Sequence, residues 1–188
     1  MTLQKILVYL GATTPSDPSY TNAVQELGER LARSGKTLVF GGSKEGTMTT
    51  LADAVLHNGG KAIGVFTKAL PMDFLYPGLT QTIMTEDLVE RKTEMFRQAD
   101  AIIAMPGSFG TWDELFDALE RVKVDKMHDR PVKPVAMLNL NGYYDGVASL
   151  LARSIQEGYT TKRYANLLYS ASSVDDLFAW LASNDKNA

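Results

Sequence analysis

A chain of 188 residues suffices for one domain of good size but not for two comfortable ones, and 45% hydrophobic with 22% charged residues is ordinary for a globular chain. A formal charge of −3 leaves no electrostatic footprint for a nucleic-acid polymer or an anionic membrane, so any phosphate must be bound locally. The lack of cysteine excludes disulfides, thiolate catalysis and thiolate-bound zinc, and makes a reducing, cytoplasmic setting the natural expectation.

The first apolar run, Ile6–Leu10, stops at Gly11 and is far too short for a signal-peptide core or a membrane span; it predicts a strand. Tyr20–Gly35 follows with Val24, Leu27, Leu31 and Ala32 at helical spacing and Gly35 placed to end the helix. Thr37–Phe40 predicts the second strand, Thr50–Gly60 a second helix closed by glycine, and Ala62–Val65 the third strand. Lys68–Gln81, with prolines, a glycine and little periodicity, reads as a connecting loop, either bordering a site or running plainly over the surface. Glu86–Ala99 reads as a charged, surface-facing helix and Ala101–Met105 as a buried strand. Gly110–Lys123 gives the clearest helix, with Trp112, Leu115, Phe116, Leu119 and Val122 in one apolar stripe. Val135–Leu138 predicts another strand, Tyr143–Gly158 a helix, Asn166–Ser170 a weaker edge strand and Ser173–Ser183 a last helix. Continuous rather than alternating apolar runs suit strands buried on both faces. With strand and helix alternating, the expected class is α/β, a single-domain, doubly wound parallel sheet of six or seven strands with helices on both faces. In such folds ligands sit at the carboxyl ends of the strands.

Two glycine turns join strand to helix. Gly41–Met48 almost fits two phosphate motifs and fails both. Thr47 stands where a triphosphate-binding loop needs lysine. A dinucleotide fingerprint would need a glycine at Ser43 and an acidic residue ending the strand around Ile63–Val65. What remains is either a simple tight turn or a turn whose amides hold a smaller anion or a sugar, with Gly42, Ser43 and Thr47 as candidates. The second turn, "PGSFGTWDE" at Pro106–Glu114, joins a buried strand to the clearest helix. Gly107 and Gly110 free its backbone, Ser108 and Thr111 add hydroxyls, and the helix brings its positive end, a description that fits a monophosphate. At about 100° per residue, Glu114 falls on the polar face opposite the Trp112–Leu119 stripe, with Asp113 nearer the buried side.

These residues resemble the LOG (Lonely Guy) family. "PGSFGTWDE", preceded by "ERKTEMFRQADAIIAM", is similar to the family's PGGxGTxxE motif with its upstream arginine-lysine motif. "LVFGGSKEGTMTTLADAVLHNGGKAIGV" and "KPVAMLNLNGYYDGV" extend the likeness over nearly the whole chain. The resemblance implies a Rossmann-like fold, a homodimer and no metal or organic cofactor. The implied activity is hydrolysis of the N-glycosidic bond of an N6-substituted AMP or related nucleoside 5′-monophosphate to free base and ribose 5-phosphate. It places the catalytic arginine on Arg91 and the catalytic glutamate on Glu114, with Lys92 adjoining. The phosphate loop falls on Gly107, Ser108, Phe109, Gly110 and Thr111. The sequence departs from the family pattern at Leu88-Val89, at Ser108, and at Gly41-Gly42-Ser43 with Gly46-Thr47-Met48-Thr49, changes that alter the pocket wall more than the chemistry. A carboxylate near C1′ suits an oxocarbenium-like transition state, where it stabilises positive charge and takes a proton from the attacking water.

The rival reading is a non-catalytic nucleotide-binding or sensing protein on the same fold. Only two histidines occur, His57 at a helix end and His128 in a polar loop, so neither a zinc site nor a histidine-based triad has support. No lysine lies in a recognisable pyridoxal-phosphate context, which disfavours amino-acid decarboxylation.

Overall fold

Residues 2–185 are described by the computed structural model, and in them the apolar runs become strands of one parallel sheet. In chain order the elements are β1 (Lys5–Tyr9), α1 (Pro18–Arg33), β2 (Thr37–Phe40), α2 (Thr47–His57), β3 (Lys61–Thr67), β4 (Gln81–Thr85), α3 (Leu88–Gln98), β5 (Ala101–Ala104), α4 (Phe109–Met127), β6 (Val135–Leu138), α5 (Asp145–Gln156), β7 (Leu168–Ala171) and α6 (Val174–Asn184). The sheet order is β4-β3-β2-β1-β5-β6-β7 and every pairing is parallel, so the direction of winding reverses between β1 and β5.

Side chains alternate across the sheet with the two-residue period of a strand. Ile6, Val8, Leu38, Phe40 and Ile103 enter a layer with α1, α2 and α6, whereas Leu7, Tyr9, Val39, Ile102 and Ala104 enter a layer with α3 and α4. Both faces of the central strands are therefore covered, which is why their sequences read as unbroken apolar runs.

The structure differs from expectation where burial is one-sided. β4 breaks into the end of the expected loop and the residues after it. It is an edge strand in which only Thr85 is buried, so it carries no apolar run to announce it. α4 is longer than Gly110–Lys123, and its buried face is Thr111, Leu115, Ala118 and Val122, so Leu115 and Val122 of the expected stripe are buried, Leu119 is half-buried, and Trp112 and Phe116 are not. Trp112 and Phe116 lie outside on a second, partly exposed apolar surface. The buried face is rotated from the expected stripe toward the small residues Thr111 and Ala118, which the close helix–sheet contact admits. α5 is also poorly covered: none of its residues is fully buried and Leu150 is 59% exposed.

Candidate active site

Where the winding reverses, the loops after β1 and β5 diverge and open a crevice, the general ligand position in such sheets. A cleft of about 310 Å³ lies there, bounded by Gly11, Gly41, Ser43, Arg91, Thr111 and Glu114. A smaller, apolar cavity of about 190 Å³ adjoins it across Gly11–Thr13 and Ser108, walled by Pro15, Tyr20, Val24, Pro106 and Tyr143.

Arg91 enters the cleft from the first turn of α3. The Asp87 carboxylate caps that helix by accepting from the Glu90 amide at 2.7 Å, and the Glu90 side chain accepts from the Glu86 amide at 2.7 Å. The guanidinium is fixed by main chain. Nε donates to the Val65 carbonyl and Nη2 to the Gly41 carbonyl, each at 2.9 Å, while Nη1 lies 3.4 Å from Glu114 Oε1. Both side chains are nearly covered, at 11% and 12% exposure. Glycine is required at position 41 by this arrangement, since a Cβ there would lie 1.9 Å from Arg91 Nη2. Gly46, which opens α2, has φ +52°, and a Cβ would meet the Ala12 backbone at 2.4 Å.

Glu114 is not on a polar outer face. It stands three residues after Thr111 and four before Ala118, both buried, and so projects from the flank of the sheet-facing side into the cleft. Asp113, expected nearer the buried side, is instead exposed and pairs with Lys92 at 2.9 Å. Burial pushes the Glu114 carboxyl up to about 7; Arg91 and Lys92 oppose that rise, while Asp113 and Asp117 add to it. Behind the glutamate, the buried Tyr9 hydroxyl is held well above its ordinary value by desolvation and by the Glu114 and Asp117 carboxylates.

Among the remaining sequence candidates, Ser43, Ser108, Gly110 and Thr111 line the cleft with the catalytic candidates. Gly107 and Thr47 border the smaller cavity, and the Thr47 hydroxyl donates to the Gly11 carbonyl at 2.7 Å. Gly42 is buried at the foot of its turn, where its carbonyl accepts from the Tyr76 amide. Lys92 lies on the seam between α3 and α4, beside Asp113 and Asp117, and does not line the cleft. Phe109 is 80% exposed and rests edge-to-face on Trp112. The helices α1, α3 and α6 are capped by the side chains of Asp17, Asp87 and Ser173, whereas α2, α4 and α5 have no side-chain cap, and of these α2 and α4 start at the cleft. Uncapped first-turn amides leave donors and the positive end of the dipole available to an anion.

Several lining residues escaped the sequence reading. Gly11, Ala12 and Thr13 follow β1 and carry no motif beyond a glycine after a strand. Leu70 and Phe74 come from the Lys68–Gln81 loop, which does border the site. It is stitched to the first glycine turn by the Lys44 amide donating to the Phe74 carbonyl. Tyr143 and Tyr144 reach under the second turn, and the only signal for them was an aromatic pair before a helix. No cluster of metal-ligating side chains occurs among the described residues, and neither cavity is lined by a lysine.

An open parallel α/β sheet with its cleft at the switch point defines a single-domain protein of the Rossmann-like class. Solved structures agree: a molybdenum cofactor binding protein from Rippkaea orientalis superposes with TM-score 0.72 at 22% identity, over 98% of each chain. The molybdenum cofactor carrier protein of Chlamydomonas reinhardtii gives TM-score 0.67 at 18% identity, covering 96% of this chain and 97% of that one. Residues 48–181 match the family model described as "Possible lysine decarboxylase". The chain is 33% identical over 175 residues to cytokinin riboside 5′-monophosphate phosphoribohydrolase LOG7 of Arabidopsis thaliana, covering 93% of this chain and 79% of that protein. It is 34% identical over 174 residues to the probable phosphoribohydrolase LOGL1 of Oryza sativa subsp. japonica, covering 92% and 76%. The chain therefore belongs to the LOG family.

Proposed function

We propose that this protein hydrolyses the N-glycosidic bond of a nucleoside 5′-monophosphate, AMP or an N6-substituted AMP, to free base and ribose 5-phosphate. The observation that carries the reading is the covered Arg91–Glu114 pair beside the uncapped start of α4. The 5′-phosphate sits on the first-turn amides of α4 with the Ser108 and Thr111 hydroxyls, and the ribose extends toward Glu114. A carboxyl that titrates near 7 is divided between base and acid at neutral pH. Ionised Glu114 stabilises the cationic ribose and takes a proton from the attacking water as its oxygen bonds to C1′. The electron pair of the broken bond leaves with the base, which takes up a proton from solvent water while Glu114 returns the proton it accepted, leaving the enzyme unchanged. Two of the three guanidinium nitrogens of Arg91 are already engaged by carbonyls, so its part is to hold and orient Glu114 rather than to follow the leaving base. Lys92 offsets the neighbouring aspartates that would otherwise raise Glu114 further.

The reading includes a homodimer in which a second copy covers apolar side chains that this fold leaves exposed, such as Trp112, Phe116 and Leu150. It also includes a cytoplasmic setting and catalysis without metal or organic cofactor; no helix among the described residues is long and apolar enough to cross a membrane. Decarboxylation through a lysine Schiff base has no lysine in either cavity to support it. A non-catalytic nucleotide-binding or sensing protein is the second reading, and the likeness in fold to the molybdenum cofactor carrier protein of Chlamydomonas reinhardtii keeps non-catalytic binding in view. Incubation with AMP and with N6-isopentenyl-AMP, followed by chromatography of free base, decides between them. Base release supports the hydrolase. Binding of AMP with no base from any monophosphate leaves the second reading.

A further inference from the structure

The second glycine turn is gripped from behind by two consecutive tyrosines. Tyr144 Oη donates to the Met105 carbonyl at 2.7 Å, and Tyr143 Oη donates to the Gly107 carbonyl. Together they bracket Pro106, which has no amide hydrogen. Their own placement is firm. The Tyr144 amide donates to Asn139 Oδ1 at 2.6 Å, and the Tyr143 ring lies edge-on to Tyr144 at 5.0 Å and to Tyr20 at 5.9 Å.

The peptide between Gly107 and Ser108 is trans, so its carbonyl and its N–H point in opposite directions. Tyr143 lines the smaller cavity and not the cleft. A Gly107 carbonyl held toward Tyr143 therefore turns the Ser108 N–H away from that cavity, toward the cleft that Ser108 also lines. Freed of that contact, the carbonyl can rotate toward the cleft and set a negative dipole where an anion would sit.

We infer that Tyr143 is a positioning residue for phosphate recognition, its hydroxyl fixing the peptide plane that presents the Ser108 amide to the ligand's phosphate. This rests on the reading of the cleft as a nucleoside monophosphate site. It adds the reason why this turn faces the ligand with a donor rather than an acceptor, and it gives the smaller cavity's wall a part in substrate choice.

The variant Tyr143→Phe removes only the hydroxyl of a partly exposed ring and leaves the core untouched. Wild type, Tyr143→Phe and the control Tyr159→Phe, which removes the hydroxyl of an exposed tyrosine that lines neither cavity, are titrated with AMP and with inorganic phosphate by calorimetry, while the Ser108 amide is followed by ¹H–¹⁵N NMR. The expected result is a roughly tenfold weaker affinity for both probes in Tyr143→Phe, consistent with one misdirected donor to a charged group. The downfield shift of the Ser108 amide on saturation, present in wild type and Tyr159→Phe, is expected to be lost in Tyr143→Phe. An affinity within about twofold of wild type, or a retained Ser108 shift, overturns the inference, as does a wild type that binds neither probe. Failure to release base from a nucleotide that binds overturns only the hydrolase reading, because these readouts do not depend on turnover.

Discussion

A single methyl group at position 41 tests the architecture of the site. In Gly41→Ala the new Cβ would lie 1.9 Å from Arg91 Nη2 and 3.1 Å from its Cζ, against an ordinary carbon–nitrogen contact of about 3.4 Å. The guanidinium must retreat by roughly 1.5 Å, which stretches the 2.9 Å bonds to Gly41 and Val65 beyond hydrogen-bond range and draws Nη1 away from Glu114. Gly41 is not among the glycines with positive φ, so alanine brings no backbone strain, and any fall in global stability reflects the stretched Arg91 hydrogen bonds, on the order of a few kcal/mol. Two charge-assisted hydrogen bonds at ~1.5–3 kcal/mol each set the scale; if half of that reaches the transition state, kcat/KM falls by about 10- to 100-fold. Arg91 is also the largest influence lowering the Glu114 carboxyl, so its retreat moves the acid limb of the pH–rate profile upward from about 7. The assay is base release from AMP across a pH series, with urea unfolding as the stability control. A variant with wild-type kcat/KM and an unmoved acid limb would refute the role given to Arg91.

Glu114→Gln should lower base release by about 10²–10⁴-fold while AMP still binds by calorimetry. In wild type kcat/KM should rise with pH through a midpoint near 7, a limb the glutamine variant lacks; a pH-independent wild type contradicts the ionised carboxylate. Stability carries the same titration. The Glu114 carboxyl is raised from its ordinary 4.5 to about 7, so between those values the folded chain holds a proton the unfolded chain has released, and its contribution to stability is lost as pH rises. Glu114→Gln should therefore gain on wild type by on the order of 3 kcal/mol between about pH 4 and about pH 8 in urea unfolding, and a pH-independent difference would contradict the burial of the charge. Leu150→Glu, at an exposed apolar position, should convert a dimer to a monomer in light scattering; a wild type already monomeric sinks the dimer.

The central strands were legible because burial on both faces writes itself as unbroken apolar sequence: Thr37–Phe40 and Val135–Leu138 fall where the runs predicted them. β4 was hidden for the opposite reason, since an edge strand covered on one side alternates and resembles loop. On α4 two apolar surfaces share one helix, and a reading that ranks residues by hydrophobic bulk follows Trp112 and Phe116 to the outer one. That error carried Glu114 onto a polar face and Asp113 toward the interior. The pairing of Arg91 with Glu114 was signalled by family resemblance alone, because the residues belong to different helices and meet only through tertiary packing. Their supports were less visible still. Val65 and Gly41 act through carbonyl oxygens that every residue type possesses, and the Tyr143 hydroxyl likewise meets main chain at Gly107.

That dependence on carbonyls has an evolutionary side. The clamp on Arg91 is written in the path of the chain, so position 65 is free to exchange one strand-forming residue for another while its oxygen stays in place. Position 41 is constrained by what it lacks, and any side chain there evicts the arginine. Drift can therefore reshape the cavity walls, and with them the ligand they admit, through residues such as Leu70, Phe74 and Tyr20 while the Arg91–Glu114 pair keeps its frame. A scaffold of this kind separates the part of the site that can be edited from the part that cannot.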